Sequence, residues 1–168
     1  MTPTSPTIEP AGDEDLTTIT DLWVRLADEQ RAYDSHVLPE ENRGTIRETL
    51  AAYRVNGGLL VARLEDETVG FASFTVEQGT FELDTTRGML SNLYVRPDYR
   101  GEGIGTALLE ATEEALEDRG VDVVALEAMA ANEAALRFYR RNGYGTHRVA
   151  LERTIDRSEN DTHSKEER

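Results

Sequence analysis

Val95-Arg96-Pro97-Asp98-Tyr99-Arg100-Gly101-Glu102-Gly103-Ile104-Gly105-Thr106 lies between an apolar strand pattern and an amphipathic helix pattern. Glycines at 101, 103 and 105 remove side chains where backbone amides converge, and the following helix points its unsatisfied N–H groups at the same place. Such a terminus carries roughly half a positive charge, so a phosphate or diphosphate is its natural occupant. The same residues would also serve as a bare strand-to-helix connection. The spacing is neither Gly-x-x-x-x-Gly-Lys-Ser/Thr nor Gly-x-Gly-x-x-Gly, which sets aside the nucleoside-triphosphate and dinucleotide loops.

A second block lies downstream, running from Leu126-Glu127-Ala128-Met129-Ala130-Ala131-Asn132 through the helix pattern Ala135, Leu136, Tyr139 to Asn142-Gly143-Tyr144. Arg100, Gly103 and Gly105, after Leu93-Tyr94-Val95-Arg96-Pro97, resemble the Arg-x-x-Gly-x-Gly signature of the GNAT superfamily of acetyl-CoA-dependent N-acetyltransferases. The second block resembles the strand, Asn, helix, Tyr, Gly-Phe/Tyr run of the same family, in the same order.

This resemblance implies a single α/β domain with a central mixed, mostly antiparallel sheet flanked by helices. It implies that the amides of Arg100, Gly101, Glu102, Gly103, Ile104, Gly105 and Thr106 hold the diphosphate of coenzyme A. Leu93, Tyr94 and Val95 would meet the pantetheine arm through their backbone, and Asn132 would bond its amides. Tyr139 would sit by the sulfur as the acid. Glu127, twelve positions before Tyr139, matches the base of the N-terminal-alanine acetyltransferases. Met89 stands where several relatives carry a base glutamate, which leaves Glu127, or else Glu82, for that task. Either carboxylate would take the proton of a lysine amine, with a pKa of about 10.4, or of an α-amine near 7.7 to 8.0.

The rest of the chain fits a helper role around these blocks. Residues 1–6 read as a loose arm, 7–155 as the domain and 156–168 as a disordered polar tail. A short strand near Ile8 precedes a helix with Leu16, Ile19, Leu22, Trp23 and Leu26 at helical spacing. Tyr33 and His36, in the break before a second helix over 40–55, are the candidate substrate contacts by analogy with the family's acceptor cleft. Residues 59–64 and 68–76 form a hairpin pattern, 88–95 the strand entering the cradle, and 121–127 an apolar strand suited to the middle of a covered sheet. Ile104, Ala107, Leu108, Ala111 and Ala115 give the helix behind the cradle its apolar side. Residues 145–155 alternate as a last strand.

Composition narrows the chemistry. The 168 residues hold 33 acidic against 18 basic side chains, a formal charge of −15, and Lys165 is the sole lysine. That balance disfavours nucleic acid, which needs a basic face, and is the kind a protein adapted to high salt carries. Against it, Arg96, Arg100, Arg137, Arg140 and Arg141 gather in the two blocks, where they would either meet a polyanionic cofactor or pair with nearby carboxylates. The chain has no cysteine, so a cysteinyl acyl-enzyme is excluded and transfer must be direct. No metal is expected. The opening Met1-Thr-Pro-Thr-Ser-Pro lacks the regions of a signal peptide and no apolar run spans a bilayer, so a cytoplasmic protein free of membrane is expected. The expected partners are coenzyme A and an amine, in a monomer or homodimer. A non-catalytic acyl-CoA-binding domain is the competing reading.

Overall fold

The computed structural model describes residues 5–156; residues 1–4 of the expected arm over 1–6 and 157–168 of the expected tail over 156–168 lie outside them. Five strands, β1 (Thr7–Pro10), β2 (Leu59–Leu64), β3 (Glu67–Val76), β4 (Arg87–Val95) and β5 (Val123–Leu126), form one sheet in sequential order. The first three pairings are antiparallel and the β4–β5 pairing is parallel. Four helices, α1 (Leu16–Arg31), α2 (Arg43–Val55), α3 (Ile104–Asp118) and α4 (Glu133–Arg141), cover it. This is the mixed, mostly antiparallel architecture expected from the sequence.

Alternation along the strands splits the core between the two faces. Val61, Phe71 and Tyr94 pack with Ile19, Leu22 and Leu50 of α1 and α2. Leu60, Ala72 and Leu90 pack with Ile104, Leu108, Leu109 and Leu116 of α3. The buried stripe of α3 is therefore Ile104, Leu108, Leu109, Thr112 and Leu116, while Ala111 and Ala115 are only partly covered. Leucine outcompetes alanine for the sheet because it removes more apolar surface from water.

Asp13, Glu14 and Asp15 form a 3₁₀ turn before α1. The Asp15 carboxylate accepts from the Gly12 amide at 2.7 Å and from Arg63 of β2 at 2.9 Å, and the residue is only 6% exposed. Arg63 keeps Glu9 as a second partner, so removing Asp15 loses the Gly12 bond and one charge-assisted pair without leaving a bare charge. Asp15→Ala is accordingly expected to cost about 2 kcal/mol, read as a lower urea midpoint, whereas a loss below a few tenths would show that the pair is fully hydrated.

Two strand expectations need correction. β5 is short and lies at the edge of the sheet, with Val123 43% exposed, where a strand in the middle of a covered sheet was expected. Residues 145–155 are exposed and join no ladder among the described residues. A strand pattern reports alternation and leaves the pairing edge unspecified. Here the chain leaving α4 runs to His36, whose Nε2 lies 2.9 Å from a Glu152 carboxylate oxygen.

Candidate active site

β4 and β5 pair only from Arg87–Val123 to Leu90–Leu126. Beyond that point the two strands part, and the β5-facing edge of residues 91–95 has no strand beside it among the described residues. A register shift sets in on the other side as well: Ser73 faces Asn92 while Phe74 faces Leu90, so Ser91 is the extra residue of a bulge. A bulge adds local twist and re-aims the strand. Leu93 and Val95 then pack toward α3 while Tyr94 packs toward α1 and α2. The backbone of all three lines the widening gap.

At the head of the gap sits the glycine loop. Gly101 and Gly103 have φ of 81° and 85°, a left-handed conformation that glycine adopts without strain, and no atom lies within 4 Å of where their Cβ atoms would be. Gly103 occupies the N-cap of α3 with no side-chain cap. Among the described residues, none of the amides of Gly101, Glu102, Gly103, Ile104, Gly105 and Thr106 donates to a protein acceptor; the first such bond is from Ala107 to the Gly103 carbonyl at 3.0 Å. Six consecutive amide donors without protein acceptors at a helix N-terminus suit a diphosphate. At Gly105 a Cβ would stand 3.5 Å from the Phe138 ring, an ordinary contact, so this position faces α4 without requiring glycine for space.

Arg100 turns out to hold the cradle in shape. Its Nε donates to the Val95 carbonyl at 2.8 Å, its Nη2 pairs with Glu29 of α1 at 2.8 Å, and its own amide goes to Pro97. Glu29 also accepts from the Tyr94 hydroxyl at 3.1 Å. Sequence reading missed Glu29 as the partner of Arg100: the two lie 71 positions apart, and nothing local links them. Arg96 is likewise taken, by Glu67. Arg137, Arg140 and Arg141 make no ion pair among the described residues, and Arg137, Arg140 and Arg141 are exposed on α4. Of the five arginines, these three remain available to a polyanion.

Asn132 caps α4, its side-chain oxygen accepting from the Ala135 amide at 3.1 Å. Capping uses the carbonyl and leaves the amide NH₂ to donate. Tyr139 stacks edge-on against Phe138 and Tyr144, with ring centroids 5.2 and 5.9 Å away. Its hydroxyl makes no hydrogen bond among the described residues, and burial pushes the phenol up to about 12. Tyr144, by contrast, donates to Glu113 at 2.9 Å.

Glu127 follows the last paired residue of β5, abreast of the Ser91 bulge where the strands part, and is exposed. Glu82 lies in the exposed β3–β4 connection. Tyr33 is half-buried and His36 exposed in the loop after α1, whose last turns carry Glu29 to the cradle. Glu127 thus stands where the β4–β5 gap opens and the glycine loop follows β4 beyond it, while Asn132 and Tyr139 lie on the α4 segment after β5. His36 instead turns to Glu152.

The Tyr139 shift carries a stability consequence. A folded-state pKa above the unfolded value near 10 means that the contribution is complete below pH 10 and is lost as pH rises toward about 12. Two units correspond to about 3 kcal/mol. Between pH 9 and 12 the wild type should therefore lose more stability than Tyr139→Phe in urea melts, and parallel losses would show that the phenol titrates freely.

A sheet that parts between β4 and β5 over an acceptor-free glycine loop defines an acyltransferase fold of one class. The chain belongs to the GNAT acetyltransferase family: the model described as "Acetyltransferase (GNAT) family" matches residues 20–144. The family transfers acetyl groups to amines and uses acetyl-CoA. The chain is 39% identical over 69 residues to N-alpha-acetyltransferase 30 of Schizosaccharomyces pombe, covering 41% of this chain and 43% of that protein. It is 40% identical over 73 residues to the [ribosomal protein bS18]-alanine N-acetyltransferase of Escherichia coli, covering 44% and 47%. The matches thus span just under half the length of these relatives. Among solved structures, a GCN5-related N-acetyltransferase from Ralstonia eutropha JMP134 superposes with a TM-score of 0.72 at 22% identity, covering 90% of this chain and 99% of that one. AAC(6')-Iy, solved with a bisubstrate analogue of CoA, superposes with a TM-score of 0.67 at 16% identity, covering 91% and 100%. Both likenesses concern the fold. No helix among the described residues is long and apolar enough to cross a membrane.

Proposed function

We propose that this chain is a cytoplasmic N-acetyltransferase that moves an acetyl group from acetyl-CoA directly onto a primary amine, of a small molecule or a peptide end, within a ternary complex. The observation that carries this reading is the set of acceptor-free amides at 101–106, which follow β4 beyond the point where it parts from β5. When bound, the thioester supplies an activated acyl group and a sulfur leaving group. The loop amides, with Arg137, Arg140 or Arg141 nearby, hold the phosphates, and the backbone of Leu93, Tyr94 and Val95 and the amide of Asn132 hold the arm.

Glu127, directly or through a water, takes the proton that the amine nitrogen gives up as it bonds to the acetyl carbon. As the carbon–sulfur bond breaks, Tyr139 gives its phenolic proton to the departing sulfur. A phenol held near 12 is fully protonated at neutral pH and is available as that donor. Tyr33 and His36 border the acceptor. The two relatives named for N-terminal and alanine N-acetylation favour α-amino ends of peptides among the acceptors. An α-amine, with a pKa of about 7.7 to 8.0, also needs less help than lysine from an exposed carboxylate.

The test is thiol release from acetyl-CoA in the presence of a panel of peptides with free N-termini, lysine side chains and polyamines. A protein without cysteine contributes no background thiol. Amine-dependent release is expected, fastest with peptide N-termini. Coenzyme A binding with no release for any amine would replace this reading with a non-catalytic acyl-CoA-binding domain.

A further inference from the structure

Arg100 enters the glycine loop with its guanidinium committed in three directions. Its Nε donates to the Val95 carbonyl at 2.8 Å, its Nη2 meets the Glu29 carboxylate at 2.8 and 3.2 Å, and the group lies over the Tyr94 ring, 5.3 Å from its centroid. Tyr94 is buried, and its hydroxyl donates to the same carboxylate. Glu29 therefore joins α1 both to the end of β4 and to the start of the loop. The Glu29 and Arg100 side chains are 38% and 46% exposed, and a pair that wet adds little to the stability of a fold. What it fixes is the direction of the guanidinium.

The Val95 carbonyl is where that direction matters. The Arg96 amide donates to the Val69 carbonyl at 2.8 Å, which makes 69 and 96 a hydrogen-bonded pair of the antiparallel β3–β4 ladder. Such pairs alternate along a ladder, so the N–H and C=O of Val95 face away from β3, toward the side where β5 has parted. A bare carbonyl there would set negative partial charge close to amides that await an anion. Arg100 covers it, and the bond from residue 100 back to residue 95 closes the Pro97–Tyr99 turn on which the loop stands. We propose that Glu29 is a positioning residue for the cofactor: by holding Arg100 on the Val95 carbonyl, it fixes where the 101–106 amides sit relative to the open edge of β4. This rests on the reading of those amides as the coenzyme A site. Glu29 touches no part of the cofactor and acts only through Arg100.

The experiment titrates the full chain with coenzyme A in a calorimeter, which reads binding whether or not the protein transfers acetyl groups. Glu29→Gln keeps an oxygen for the Tyr94 hydroxyl and drops the charge that holds Arg100. It should weaken coenzyme A binding about tenfold, the worth of one charge-assisted contact, with a melting temperature within about 3 °C of wild type. Arg100→Lys replaces the planar fork by a single nitrogen that cannot serve Val95 and Glu29 in the same directions, and it should lose as much. The double variant should lose no more than either alone, whereas independent effects would multiply to about a hundredfold. Glu67→Gln removes an equal charge from the neighbouring Arg96 pair and should bind as wild type does. In steady state, Glu29→Gln should raise the KM for acetyl-CoA about tenfold and leave kcat within about twofold. Wild-type affinity in Glu29→Gln, losses that multiply in the double variant, or an equal loss in Glu67→Gln would overturn the proposal. So would tighter binding with a steeper salt dependence, which means that Arg100 once released is itself a phosphate ligand. A wild type that binds no coenzyme A would remove the cofactor reading first, and this proposal with it.

Discussion

Glu127→Gln is expected to lower the turnover of acetyl transfer by roughly 10²- to 10⁴-fold, the usual contribution of a positioned general base, while coenzyme A binds as tightly as before. β5 hands the chain to the 127–132 loop at the point where β4 and β5 stop pairing, so Glu127 emerges where the gap opens. Glutamine keeps the shape and loses the proton acceptor, so binding and chemistry should separate. The deficit should shrink at high pH, where the amine arrives already deprotonated and needs no base. Steady-state rates across pH 6.5 to about 9.5 read this directly. Turnover equal to wild type at pH 7 would remove Glu127 from the role and turn attention to Glu82.

Gly103→Val should weaken coenzyme A binding by at least ~100-fold, about 2.7 kcal/mol. Two effects add. A residue with a Cβ at a φ of 85° is strained by about 1–2 kcal/mol, which the loop can relieve only by turning its amides away from their common focus. The isopropyl group also enters the space around the loop, where nothing of the protein stands within 4 Å. Gly120→Val is the control, since Gly120 has a similar φ of 83° and open surroundings at the far end of the same helix. It should destabilise the fold comparably and leave coenzyme A affinity alone. Equal affinity losses for the two variants, measured by calorimetry, would mean that the effect is general strain on α3.

Much of this site was legible from local pattern. The three glycines, the helix start at Ile104 and the cap at Asn132 are short-range features, each specified by residues within one turn of chain. The same holds for the hairpin of β2 and β3 and for the end of α3 at Gly120. What stayed hidden depends on contacts between distant residues. Arg100 read as a cofactor ligand because its partner Glu29 lies on another helix. Nothing near Asp15 in the sequence signals its burial, because its partner Arg63 is 48 positions away. The bulge at Ser91 leaves no mark in the apolar alternation, since one inserted residue looks like ordinary strand. β5 and residues 145–155 show the general limit: apolar alternation marks a strand but carries no record of which edge will receive it.

The central claim is that main-chain amides at 101–106 grip the diphosphate of the acyl carrier. It is tested most directly by titrating the protein calorimetrically with coenzyme A and, side by side, with pantetheine, which has the same thiol arm and no phosphate. The account predicts saturable heat with coenzyme A and an affinity for pantetheine at least ~100-fold lower, on the order of 2.7 kcal/mol. Equal affinity for the two, or no heat with coenzyme A at any salt concentration, would contradict it.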